Sequence, residues 1–99
     1  MAHEPQQVTV LAWYSKEQWK LLKRRAADAH LLDETYDEWL EEMNRLVRRL
    51  KQEGNAFVKC FVDIAEIELW CQEENVPLDA KARSRYVTEV ARDKKLKQE

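Results

Sequence analysis

Two thiols, two imidazoles and a dense run of carboxylates are the groups with which this chain could do chemistry. Cys60 and Cys71 could in principle hold a metal or act as nucleophiles. Zinc sites bring their ligands in close pairs such as C-x2-C or H-x3-H, whereas eleven positions separate these two thiols. A nucleophilic thiolate needs a polar, electropositive setting. Cys60 lies instead between Lys59 and Phe61, and Cys71 follows Trp70, so both read as small buried hydrophobes. His30 is expected to end the first helix, where a cation is favoured, and His3 lies in a terminal stretch without periodicity. The acidic residues Asp33, Glu34, Asp37, Glu38, Glu41 and Glu42 place Asp37 beside Glu41 and Glu38 beside Glu42 on successive helical turns. They lack the oxygen-rich loop of an EF-hand and read as a solvated helix face that complements the dipole. With no general acid–base pair in view, the chain is expected not to be an enzyme and to need no metal and no cofactor.

The basic residues suggest a different chemistry. Lys81, Arg83 and Arg85 fall early in the last predicted helix, where a recognition helix presents its base-reading side chains. Arg92, Lys94, Lys95 and Lys97 extend that character, so that residues 79–99 carry seven basic and four acidic groups. Contact of Lys81, Arg83, Arg85 and Arg92 with nucleic acid is therefore one reading of residues 64–93, as a helix-turn-helix. The whole chain opposes it with a net charge of −2 and a pI near 5.8, because domains that wrap nucleic acid are usually basic. The turn also holds Pro77 and no glycine.

The elements that would position these residues are set by caps and periodicity. Residues 1–7 read as a flexible polar tail, 8–93 as one globular domain and 94–99 as a frayed, charged tail. Val8–Trp13, with β-branched residues, reads as a strand. Ser15 and Gln18 have the spacing of a capping box, the Ser15 hydroxyl accepting from a helical amide and Gln18 reaching back to the Ser15 N–H. Tyr14 and Trp19 have the spacing of a hydrophobic staple. Trp19, Leu22, Ala26 and Ala29 then make a buried stripe that carries the helix to about Ala29–His30.

Thr35 and Glu38 open a second helix in the same way. Its stripe is Tyr36, Trp39, Leu40, Met43, Leu46, Val47 and Leu50. Its acids gather at the N-terminal half and its arginines at the other, as the dipole favours. Gly54, the one glycine, follows the last periodic residue and reads as a left-handed cap that a β-branched residue would destabilise. Ala56–Val62 reads as a strand because Asp63 and Glu66 restart a helix at Ile64. Since a lone strand is unstable, it is expected to pair with Val8–Trp13, within the chain or across a dimer. The third helix runs to about Glu74, and Pro77 separates it from a fourth, capped by Asp79, with Ala82, Tyr86, Val87, Val90 and Ala91 on one face.

The expected architecture is thus α+β and predominantly helical: four helices with a small two-stranded β element in the order β1-α1-α2-β2-α3-α4. Four tryptophans and three tyrosines are many for 99 residues. Core packing accounts for most of them, and some could serve a partner.

The series Trp13-Tyr14-Ser15-x-Glu17-x-Trp19, Asp28, Thr35-Tyr36-x-Glu38-Trp39, Val62-Asp63 and Trp70-Cys71 resembles a group of short uncharacterised bacterial proteins, from about Trp13 to Tyr86. The resemblance implies a bacterial origin and carries no activity and no site residue. No apolar leader or spanning segment is present, so a cytoplasmic protein is expected. The function expected is that of a small non-enzymatic protein-interaction module. It would bind a protein partner or itself as a homodimer, through a strand edge or the second helix. The alternative is a small DNA-binding regulator.

Overall fold

The computed structural model describes residues 8–94. Along the chain run β1 (Thr9–Trp13), α1 (Lys16–Arg25), a 3₁₀ turn (Ala29–Leu31), α2 (Tyr36–Gln52), β2 (Phe57–Phe61), α3 (Ile64–Glu74) and α4 (Ala80–Lys94). This is the predicted order, and the two strands pair within the chain. The tail assigned to residues 1–7, with His3, and residues 95–99, with Lys95 and Lys97, lie outside the described residues.

The strands are parallel, in the register Thr9 with Phe57, Leu11 with Lys59 and Trp13 with Phe61. Parallel pairing follows from the connection, which carries two helices back across the sheet rather than a tight turn. Parallel strands need cover on both faces. Phe57 and Val58, adjacent and therefore on opposite faces, are both buried. β1 supplies Leu11 and Trp13 to the interior. α4 lies along β1 and reaches β2, α3 packs on α4 and α1, and α1 leans on α2. Leu22, Ile64, Ile67, Val87 and Cys60 fill the space between them.

The caps form as their spacing predicts. Ser15, Thr35, Asp63 and Asp79 accept from the amides of Gln18, Glu38, Glu66 and Ala82. Gly54 has φ +72°, and a Cβ there would meet nothing, so its requirement is one of backbone conformation. Asn75, at φ 56°, ends α3 in the same left-handed region.

Two expectations are corrected. Gln18 does not reach back to the Ser15 amide. Its Oε1 accepts instead from the Ile64 N–H at 2.7 Å, capping the first turn of α3 from another helix. The first helix also stops at Arg25 rather than near Ala29–His30. Ala26 is extended, and the Ala27 N–H is taken by the Leu78 carbonyl at 2.7 Å. A tertiary hydrogen bond thus outcompetes continuation of the helix, and the buried stripe ends at Ala26. His30 falls in the 3₁₀ turn, exposed.

Candidate functional site

The free edge of β1 is the starting point of the site. Thr9 donates to Ala56 at 3.0 Å, and Trp13 accepts from Val62 at 3.0 Å. In a parallel ladder alternate residues bond to the same neighbour. Residues 9, 11 and 13 therefore face β2, and Val10 and Ala12 turn their N–H and C=O groups away from it. Strand edges bind other chains unless something blocks them.

A cleft of about 380 Å³ runs along this edge. Val10, Leu11 and Ala12 all line it. Side chains of successive strand residues point to opposite faces, so three in a row can border one cleft only where it meets the strand edge-on. α2 forms one wall with Trp39, Glu42 and Met43, and α4 the other with Arg83, Ser84 and Val87. Leu31, an apolar residue 75% exposed, stands at its lip.

Below the cleft the aromatic residues form a single cluster centred on Trp39. Its ring lies 5.4 Å from those of Trp13, Tyr14 and Trp19 and 5.5 Å from that of Tyr36. Trp13 and Tyr14 meet it edge-to-face and Trp19 stacks on it, arrangements that add to burial alone. The staple pair Tyr14 and Trp19 is in place at 6.2 Å.

Tyr14 gives the cleft a polar floor. The residue is only 4% exposed, and its hydroxyl has no hydrogen-bond partner among the described residues. No solvent-free polar side-chain atom there lacks a partner. The hydroxyl therefore touches solvent, on the cleft that Tyr14 lines. Burial raises its pKa to about 12, opposed by Arg83 and assisted by Asp28. At neutral pH it is a proton donor and acceptor, never a base.

Arg83 and Asp28 hold the α4 wall in position. Two parallel hydrogen bonds of 2.8 Å join them, and their side chains are only 11% and 14% exposed. The hydrogen bond from Arg83 draws the Asp28 carboxyl below its usual range against the opposing effect of burial. Burial disfavours the Arg83 charge, and the Asp28 hydrogen bond more than offsets that, so its pKa rises. On the opposite wall Glu42 is raised, chiefly by the neighbouring Asp33 carboxylate. Two like charges therefore stand together at the mouth of the cleft.

The four residues assigned to nucleic acid are dispersed by the fold. Arg83 turns inward to Asp28. Arg85 pairs with Glu74 and Glu89 and lies 5.0 Å from the Trp70 ring centroid. Lys81 and Arg92 are exposed and flank a shallow depression with Ser84 and Thr88. The two thiols are free and buried, and burial raises both. Among the described residues no three His, Cys, Asp or Glu side chains come together as a metal site, and no helix is long and apolar enough to cross a membrane.

Sequence reasoning placed Tyr14 only as a staple, and Asp33 and Glu42 only on a solvated face. Asp28 was named without a role. The alternation of β1 could have exposed Val10 and Ala12 as edge residues once the parallel pairing was known. A family model described as a domain of unknown function (DUF8829) matches residues 1–98. No curated protein and no solved structure matches the chain.

Proposed function

The chain belongs to the DUF8829 family, a domain of unknown function, and from that premise we propose that it is a non-enzymatic module that binds an extended, basic peptide segment by strand addition to β1. The observation that carries this reading is the unpaired β1 edge at the floor of an apolar cleft between two helices. Main-chain hydrogen bonds to Val10 and Ala12 would supply affinity, and alternate side chains would enter the cleft. At about 3.3 Å per residue, these groups engage a core of three or four ligand residues.

Charge selects the occupant. The Asp33 and Glu42 carboxylates repel one another, and a Lys or Arg side chain between them relieves that repulsion. Tyr14 offers its free hydroxyl to the same ligand. A second folded copy fits less well, because its own β1 edge is flanked by the same two helices. The free edge of β2 carries Lys59, a charge of the kind that blocks edge pairing. The DNA-binding alternative would require Arg83 and Arg85 to leave Asp28 and Glu74.

The test is a titration with a synthetic peptide of alternating valine and lysine, followed by amide chemical shifts. Binding should move the Val10 and Ala12 amides and the Tyr14 ring. Ala12→Pro should abolish it while leaving the fold intact, because the Ala12 N–H does not serve the β1–β2 ladder and proline is tolerated at such edge positions. Shifts confined to other surfaces, or full binding by A12P, would refute strand addition.

A further inference from the structure

A second cleft, sharing only Trp19 with the first, lies between α1 and the start of α2. Lys16, Lys20, Lys23 and Arg24 line one side. Their spacing of i, i+4, i+7 and i+8 places all four on one helical face. Glu34, Thr35, Tyr36 and Asp37 line the other side, and the volume is about 520 Å³.

The charges on this stripe are unmatched. Arg25, Arg45, Arg49, Arg83 and Arg85 each pair with a carboxylate. Among the described residues, none of the four cations in the cleft has an acidic partner within 4.0 Å. Their one hydrogen bond runs from Lys23 Nζ to the Ala29 carbonyl, at 3.5 Å. Beside them lies the Tyr36 ring, tilted against Trp39 at 5.5 Å and bordering the cleft.

We propose that this cleft binds a nucleoside phosphate. Lys16, Lys20, Lys23 and Arg24 hold the phosphate oxygens, since an arginine fork and flexible ammonium groups are suited to that role. The base stacks on Tyr36, an interaction open to any base. The Asp37 and Glu34 carboxylates accept from ribose hydroxyls, which inorganic phosphate lacks. The volume is that of a small-molecule site. A free nucleotide and one unit of a single strand present this same chemistry.

The experiment titrates the protein with adenosine diphosphate, inorganic phosphate, adenosine and a single-stranded deoxyadenosine octamer, each followed by amide shifts and calorimetry. Adenosine diphosphate should move the amides of residues 16–24 and 34–37. Lys20→Glu combined with Lys23→Glu should weaken it by about tenfold or more, a loss near 1.4 kcal/mol per tenfold, with an unchanged thermal melt. Tyr36→Phe should retain binding, because it retains the ring. Octamer binding tighter than that of the diphosphate, with a steep salt dependence, identifies the source as a strand; the reverse order identifies a free nucleotide. Inorganic phosphate binding as tightly as adenosine diphosphate would overturn the proposal, as would undiminished binding by the double variant or shifts located elsewhere.

Discussion

Tyr14 and Asp28 show how far a single side chain can be shifted by its surroundings. Burial raises the Tyr14 pKa to about 12 against about 10 in the unfolded chain. A raised value contributes stability that is complete below pH 10 and is lost as pH rises through 12. Tyr14→Phe should remove that alkaline loss, about 2–3 kcal/mol for a shift of this size, as read by denaturant melts between pH 9 and 12. Asp28 has the opposite sign. Its carboxyl ionises more readily in the folded state, so its contribution is complete above the unfolded value near 4 and fades as pH falls through the lower folded one. Asp28→Asn should destabilise the protein by about 3 kcal/mol at pH 7, because Arg83 would keep a buried, unmatched charge. The variant's stability should then vary less than the wild type's between pH 5 and 2.

Among the elements, the helices were legible because each carries its own start signal. Ser15, Thr35, Asp63 and Asp79 cap the helices their spacing predicts, since a cap is a contact three residues long. What failed was what depends on distant residues. The end of α1 is set by Leu78, fifty-odd positions away, and Gln18 serves Ile64 rather than its own turn. Cleft residues such as Ala12 and Asp33 look ordinary in sequence because their significance lies in which elements they face. Gln18 offers a test of this cross-helix cap. Ile64 is fully buried, so Gln18→Ala leaves its amide without an acceptor and should cost about 1–3 kcal/mol. That corresponds to a fall in Tm of at least about 4 °C for a domain of this size. Were Gln18 only a local cap, the loss would be a few tenths of a kcal/mol.

Taken whole, the molecule keeps its most reactive edge between helices and gives the other edge a charge. Strand addition at β1 and self-pairing at β2 therefore predict different masses. Light scattering across a dilution series should give the mass of one chain, 11.9 kDa, at every concentration. A dimer that persists in A12P but is lost in Lys59→Ala or Phe61→Ser would assign association to the β2 edge, where Phe61 is 74% exposed. The fold class followed from hydrophobic periodicity, whereas the parallel direction of the sheet did not, because direction is decided by the path of the intervening helices.

The walls of the β1 cleft come from opposite ends of the described chain, residues 10–12 and 83–87. During synthesis the strand emerges long before the helix that will stand beside it, and domains form as units only when their last element arrives. Until then no groove exists for a ligand to enter. Competence to bind is thus a report on completion: a chain arrested before α4 presents a bare, greasy strand to chaperones, and only the finished product presents a receptor. Occupancy should in turn protect the finished state, since a ligand that recognises it alone draws the folding equilibrium toward it.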